Sequence, residues 1–220
     1  MTVKKLISVA CTAALATLSA GAQAQISGGV VKIGVLTDLS GTYSDLAGSG
    51  AVLATKMAVE DFIAKEKPNF KIEVVSADHQ NKADIASNKA REWFEREGVD
   101  TATELVTTSV ALAVMKVAKE KERIALMSGP ASTPITNEQC NDVTVHYTYD
   151  TYALANGTAK AVTKQGGRSW FFLTADYAFG QALEKDAAAV VTANGGKVLG
   201  SVRHPFPGSD FSSFLLKAQS

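Results

Sequence analysis

Residues 101–132 have the sequence TATELVTTSVALAVMKVAKEKERIALMSGPAS. A short β-rich run at 103–106 is followed by an apolar segment of helical period at 109–121 and by a second β-rich run at 123–128. Strand, helix and strand over about thirty residues are typical of a βαβ unit, in which both strands lie parallel in one sheet. The sequence therefore predicts an α/β fold.

The same alternation continues on both sides of this unit. Upstream, it predicts strands at 30–37 and 71–77 and helices at 49–65 and 84–97, the latter with Asp84 as N-cap and Gly98 just past its end. Downstream, it predicts an extended segment at 143–147, helices at 151–164 and 179–193, strands at 169–175 and 197–202, and a last helix that Asp210 opens as N-cap. Parallel sheets of this kind are covered by helices on both faces, and we expect the same here.

A polar loop at 129–142 interrupts the alternation and marks a domain boundary. We divide the sequence into residues 1–24, an N-terminal ligand-binding lobe at 25–147 and a partial second lobe at 148–220. The second lobe has only two strands, and two strands rarely form an independently stable sheet. We therefore expect a sequence that is cut short, the alternative being a compact protein of one and a half domains.

The first 24 residues have the three parts of a secretory signal peptide. Lys4 and Lys5 precede an apolar stretch, Leu6 to Leu18, which is too short to span a bilayer, and Ala22-Gln23-Ala24 forms an A-x-A cleavage site. An uncleaved membrane anchor is the alternative. Cleavage would leave a single cysteine, Cys140, which we interpret as an idle or structural thiol in an exported, periplasmic protein.

Composition and motifs exclude several functions. The 22 basic and 22 acidic residues leave no positive excess for neutralising phosphates, which argues against nucleic-acid binding. The three histidines lack the spacing of metal ligands, so no metal is predicted. Gly48-Ser49-Gly50 lacks the third glycine of a dinucleotide fingerprint, since Leu53 stands there, and no phosphate loop or G-x-S-x-G occurs. We predict neither cofactor nor catalysis; Asp78 and His79 as an acid/base pair are less expected than a solvated loop.

Two small hydroxylated loops follow neighbouring strands of the predicted sheet. In Thr107-Thr108-Ser109, hydroxyls meet the free backbone N–H groups of a helix N-terminus, which attracts a carboxylate. Ser128 to Thr133 forms the second loop. Ligands bind at the carboxyl ends of parallel strands, so both loops favour a ligand site. The alternative is that Ser109 only caps its own helix.

Six stretches extend this pattern over nearly all of the chain after residue 24: IGVLTDLSGTY, ADHQNKADIASNKAREWFE, TTSVALAVMKVAKE with the SGPAS loop, TADYAFGQALEKD, NGGKVLGSVRHP and DFSSFLLKAQ. Together they resemble the type I periplasmic binding proteins, and more narrowly the branched-chain amino-acid (leucine/isoleucine/valine) group that serves ABC importers. The resemblance implies two Rossmann-like lobes with parallel sheets that close on a small molecule, the second lobe being incomplete here.

The resemblance also implies a binding site with hydroxyls from the first lobe and aromatic rings from the second. Ser109 matches a serine after the third strand, and Pro130 and Ser132 match the loop after the fourth. Tyr177 or Phe179 matches the aromatic residue that covers the ligand, and Tyr149 lies beside the first crossover. The acidic partner of a ligand amino group comes later in the family, beyond Ser220.

By the same resemblance, the protein is expected to capture a branched-chain amino acid or an aromatic carboxylate in the periplasm and to deliver it to an ABC permease in the inner membrane. The TTS and GPAS loops resemble a variation found in a subgroup suited to aromatic acids as well as amino acids. A ligand-sensing module of the same fold, signalling to a receptor partner, and a small α/β enzyme are the alternatives.

Overall fold

The computed structural model describes residues 26–219, and within them strands and helices alternate as the sequence predicts. The strands are β1 (Val30–Thr37), β2 (Lys71–Asp78), β3 (Thr101–Glu104), β4 (Ile124–Met127), β5 (Thr144–His146), β6 (Ser169–Ala175) and β7 (Lys197–His204). The helices are α1 (Gly48–Glu66), α2 (Ala83–Glu92), α3 (Thr108–Glu120), α4 (Thr133–Thr136), α5 (Thr151–Lys164), α6 (Ala178–Ala193) and α7 (Ser212–Gln219). The predicted signal peptide lies outside the described residues.

The strands form two sheets, and every strand pair is parallel. β2-β1-β3-β4-β5 is the order of the larger sheet, with Ile33 beside Thr101 and Leu126 beside Val145. β6 and β7 form the smaller sheet. We call residues 30–146 the five-stranded unit and residues 151–219 the two-stranded unit. The α/β class and the fifth strand are confirmed, and the lobe boundary at 147 stays a prediction.

The core of the five-stranded unit lies between its sheet and helices α2 and α3. Trp93, in a π-helical turn that follows α2, is 1% exposed and packs with Leu36, Val114 and Met127. A Cβ atom on Gly34 would lie 2.5 Å from Cζ3 of Trp93. Only glycine therefore allows the indole ring to lie so close to the middle of β1.

Helices lie on both faces of this sheet, as predicted, but the face opposite α2 and α3 is only partly covered in the described residues. α1 packs against β1 and β2. On this helix Leu53 is 59% exposed and Met57 55%, while Ile124 and Val145 of β4 and β5 are also exposed. The apolar repeat of α1 correctly predicts a helix but does not correspond to a buried stripe.

Two predicted helix starts differ from the structure. Lys82, not Asp84, is the N-cap of α2, because its backbone is the last extended one before the helix; Asp84 lies in the first turn, where its charge favours the helix dipole. Asp210 accepts a hydrogen bond from the Ser212 N–H at 2.9 Å, and α7 begins at Ser212. Gly98 ends the π-helical turn with φ of 67°, as predicted.

Within residues 26–219 no helix has the length and apolarity needed to cross a membrane.

Candidate functional site

A cavity of about 140 Å³ lies where loops of both units meet. Its walls come from residues that follow β1, β3, β4, β5 and β6, at the carboxyl ends of parallel strands. They are Tyr43, Leu46, Val106, Thr107, Thr108, Gly129, Ala131, Tyr149, Tyr177 and Phe179. An apolar cavity of about 150 Å³ is known to hold one benzene molecule, so this space suits a small organic ligand.

One wall of the cavity is the N-terminus of α3. Thr107 has an extended backbone and precedes the helix, and its hydroxyl donates to Asn81 Oδ1 at 2.9 Å. Thr108, the first helical residue, is 1% exposed, yet its hydroxyl has no hydrogen-bond partner in the described protein. A buried unpaired hydroxyl is costly, and the first amides of a helix attract anions. This end of the cavity is therefore suited to a carboxylate.

The facing wall is aromatic and joins the two units. The Tyr43 and Tyr177 hydroxyl oxygens lie 3.0 Å apart and share a hydrogen bond. The Tyr177 ring stacks on Phe206, with centroids 4.9 Å apart, and lies 6.0 Å from Phe179. Burial, together with the Tyr43 hydroxyl, raises the pKa of Tyr177, so the phenol stays neutral. These contacts close one side of the cavity with rings.

A second, polar contact joins the units away from the cavity. The Thr133 and Thr151 hydroxyls donate to Asp186 Oδ2 at 2.9 and 2.6 Å, and the Thr133 N–H donates to the Thr151 hydroxyl at 3.1 Å. Lys185 and Glu138 form an exposed ion pair beside this cluster at 3.2 Å, of a kind that adds little stability. The helices α4, α5 and α6 are thus held together at the passage between the units.

Two buried carboxyl groups support the cavity loops from behind. Asp38 is fully buried and accepts hydrogen bonds from the Gly41 and Tyr43 N–H groups at 2.7 and 2.9 Å, which fixes the loop that carries Tyr43. Glu104 accepts one from the Val106 N–H at 2.9 Å. Burial raises the pKa of Glu104 to about 7, and the Asp38 carboxylate contributes in the same direction.

Three of the six predicted ligand contacts lie on the cavity wall: Tyr149, Tyr177 and Phe179. The other three do not line it. Ser109 is half-buried in the first turn of α3, and the Pro130 carbonyl oxygen lies 2.7 Å from His146 Nε2. Ser132 is fully buried, and its hydroxyl has no partner in the described protein. All six stay predictions as ligand contacts.

Tyr43, Thr107 and Thr108 line the cavity, whereas the predicted ligand contacts include only Ser109 from the hydroxyl run at 107–109 and do not include Tyr43. The two threonines stand in the quoted hydroxyl run, and the start of α3 one residue earlier than predicted explains the error. The stretch IGVLTDLSGTY ends at Tyr43, but the sequence does not predict its contact with Tyr177, because only the folded 38–47 loop brings the two residues together.

The other candidate groups have structural roles. Burial lowers the pKa of His79, and its Nδ1 accepts a hydrogen bond from the Asn81 N–H at 3.0 Å. Asp78 accepts hydrogen bonds from the Leu39 and Gln80 N–H groups. Cys140 is exposed and free. Residues 26–219 contain no cluster of three or more potential metal ligands.

Comparisons with known proteins agree on one family. A family model described as periplasmic binding protein matches residues 30–220. The crystal structure of a periplasmic binding protein from Burkholderia mallei is 58% identical, with a TM-score of 0.83 over 88% of this chain and 51% of its own. That of a branched-chain amino acid ABC transporter periplasmic ligand-binding protein from Burkholderia xenovorans is 38% identical, with a TM-score of 0.71 over 86% of this chain and 50% of its own.

A curated relative, Leu/Ile/Val-binding protein homolog 6 of Brucella abortus (strain 2308), is 25% identical over 206 residues. These residues are 92% of this chain and 51% of the relative. The chain thus spans about half the length of the curated relatives that it matches.

Proposed function

Because the chain belongs to the periplasmic binding protein family, we propose that it captures a small carboxylate-bearing solute in the periplasm and presents it to an ABC permease of the inner membrane. The fold is that of the type I periplasmic binding proteins. In the proposed arrangement the two-stranded unit is part of the second lobe. The solute would be a branched-chain amino acid or an aromatic acid. The Burkholderia xenovorans relative, a branched-chain amino acid ABC transporter protein by its description, supports the first of these.

One observation carries the proposal: Thr108 lines the cavity at the N-terminus of α3, and its buried hydroxyl has no partner in the described protein. A ligand carboxylate there would accept hydrogen bonds from this hydroxyl and from the free amides of the first helical turn. The ligand would dock first on the five-stranded unit, which supplies this wall. Affinity would come from hydrogen bonds made without competing water.

The part of the ligand beyond its carboxylate would lie against aromatic side chains. Tyr177 and Phe179 come from the two-stranded unit and Tyr43 from the five-stranded unit, so closure would bury the ligand between them. Among the described residues of the cavity wall none carries a formal charge. This supports a ligand whose body is uncharged apart from its carboxylate, or whose amino group is met by a residue outside the described chain.

Isothermal titration would test the carboxylate site. The protein would be expressed from its complete gene and titrated with leucine, valine, benzoate and 4-hydroxybenzoate. Thr108→Val keeps the shape of the side chain and removes its hydroxyl. Since a hydrogen bond to a charged group contributes about 1.5–3 kcal/mol, we expect the affinity to fall about ten- to hundredfold.

Thr163→Val is the matched control. Thr163 is 2% exposed, its hydroxyl is also without a partner in the described protein, and it lies in α5 away from the cavity. We expect Thr163→Val to bind the ligand with the affinity of the wild type. Equal losses of affinity in Thr108→Val and Thr163→Val would assign the effect to folding. If none of the four compounds binds the wild-type protein, the proposed ligand class is contradicted.

The role in import has its own test. Deleting the gene should abolish uptake of the radiolabelled ligand, and restoring it should recover uptake. Uptake that continues at the original rate would contradict delivery to a permease, and would favour the sensing module.

A further inference from the structure

Glu104 ends β3 in an uncommon backbone conformation. Its φ is 81° and that of Leu105 is 60°, both in the left-handed region that residues other than glycine rarely adopt. The Leu105 N–H still donates to the Leu36 carbonyl at 3.2 Å, so the chain turns sharply without leaving the sheet. Such strained positions are retained where the surroundings hold them, and they cluster at functional sites.

The Glu104 side chain contacts two loops of the cavity at once. Its Oε2 accepts the Val106 N–H at 2.9 Å. A Cβ atom on Gly129 would lie 2.3 Å from its Oε1, and the Gly129 N–H donates to the Glu104 carbonyl at 3.2 Å. Val106 and Gly129 both line the cavity, while Glu104 itself is 5% exposed and does not. Glu104 thus acts on the cavity through the residues that it holds.

The surroundings of Glu104 offer no positive charge to balance it when it is ionised. Glu104 lines a larger chamber of about 660 Å³, which shares Leu46, Val106, Gly129 and Tyr149 with the cavity. The other titratable residues that line this chamber are Asp45 and Tyr149, and none of the described residues that line it is basic. Behind Glu104 lies the buried Asp38, with the buried His79 beside it.

We propose that Glu104 is a positioning residue whose protonated form prepares the cavity for an anionic ligand. The inference rests on the proposed function, since it takes the ligand carboxylate to lie at the N-terminus of α3. Ionised Glu104 would add a second, uncompensated negative charge behind the same loops. Binding of a carboxylate would therefore favour uptake of a proton by Glu104, whose pKa of about 7 lies in the physiological range.

Calorimetric titration with benzoate and with leucine, from about pH 6 to about pH 8.5, tests this. Benzoate carries no amino group, and both carboxylates stay ionised over this range. If the ligand raises the pKa of Glu104 by about one unit, the affinity of the wild-type protein for benzoate falls about tenfold with rising pH. Titration near pH 7 in two buffers of different ionisation enthalpy should show proton uptake on binding.

Glu104→Gln keeps an oxygen that accepts the Val106 N–H and cannot ionise. We expect its affinity to be independent of pH and its proton uptake to vanish, which a loss of packing alone would not produce. Asp45→Asn removes a negative charge from the exposed side of the same chamber, and we expect it to keep the wild-type pH dependence.

Wild-type binding without pH dependence or proton uptake, or a dependence that persists in Glu104→Gln, would overturn the inference and leave the proposed function standing. An affinity for benzoate that rises with pH would also overturn it. If the glutamine variant does not fold, proton uptake by the wild-type protein still decides. Absence of binding at every pH would overturn the proposed function, and this inference with it.

Discussion

The two tryptophans of the chain lie one in each unit, and their surroundings differ. Trp93 is 1% exposed within a core of large apolar side chains and lies against Gly34 of β1. Trp170 is half-buried beside a small cluster of three alanines and two valines. Because stabilisation follows the apolar area that is buried, the five-stranded unit supplies most of the stability and the rigid wall of the cavity. The two-stranded unit carries the cavity residues Tyr177 and Phe179 and has a much smaller core.

The largest expected effect comes from truncating these tryptophans one at a time. Trp93→Ala should reduce the free energy of unfolding by about 3–5 kcal/mol, since it removes a fully buried ring. Trp170→Ala should cost about 1–2 kcal/mol, as is usual for a substitution outside a tight core. Denaturant unfolding followed by circular dichroism measures both. Equal losses would show that the two cores contribute equally to stability.

The next effect concerns the pH dependence of stability. Glu104 has a pKa of about 7 in the folded protein against 4.5 when unperturbed, so the folded state holds the proton more tightly. The contribution of Glu104 to the free energy of unfolding is complete below about pH 4.5 and is lost as the pH rises through about 7. The difference between these two limits is about 3 kcal/mol. The difference in unfolding free energy between the wild type and Glu104→Gln, measured from about pH 4 to about pH 9, should follow this course.

The buried His79 changes the stability of the protein with pH in the opposite direction to Glu104. Its lowered pKa means that stability is lost as the pH falls through and below the unperturbed value of 6.5. Since His79 is present in both proteins, its contribution cancels in the difference. A difference that does not change with pH would show that Glu104 titrates normally.

A smaller effect separates two neighbouring hydroxyls at the start of α3. The family resemblance predicts that Ser109→Ala weakens ligand binding by about 1–3 kcal/mol, as the loss of a hydrogen bond would. The cavity geometry instead favours Thr108, because Thr108 lines the wall and Ser109 does not. We expect the larger loss of affinity in Thr108→Val, measured by titration calorimetry. The reverse order would return Ser109 to the site.

The smallest effect concerns the contact between the units. Tyr177→Phe removes the hydrogen bond with Tyr43 and keeps the stacking on Phe206. A neutral hydrogen bond contributes about 0.5–1.5 kcal/mol, so ligand should dissociate about two- to tenfold faster in stopped-flow measurements. Tyr147→Phe is the control, since Tyr147 is 84% exposed and does not line the cavity. An unchanged rate in Tyr177→Phe would mean that the hydroxyl pair does not hold the units together.

The sequence predicts those features that depend on local periodicity. Strand and helix alternation predicts the seven strands within residues 26–219, including the short β5, and the end at Gly98 of the helical segment formed by α2 and the π-helical turn. Local periodicity does not predict features that depend on contacts between segments distant in the sequence. The hydroxyl run at 107–109 locates the carboxylate end of the cavity but not which residue faces it, since one residue of helix phase separates Thr108 from Ser109.

Other features have no local signal at all. Tyr43 reaches Tyr177 across 134 positions of sequence through a loop fixed by the buried Asp38. Glu104 reads as an ordinary polar residue in a β-rich run, and only the fold reveals its burial. The apolar repeat of α1 predicts more buried side chains than the structure has. Periodicity shows which side chains form one face of a helix, but not whether another element packs against that face.

The exposed Cys140 offers a chemical handle. It lies two positions after Glu138, whose ion pair with Lys185 spans the two units. Within residues 25–220 it is the only cysteine, so a maleimide dye would attach to this part of the protein at one place. A dye there would report relative movement of the units as a change in emission, which would make the labelled protein an optical sensor for its own ligand.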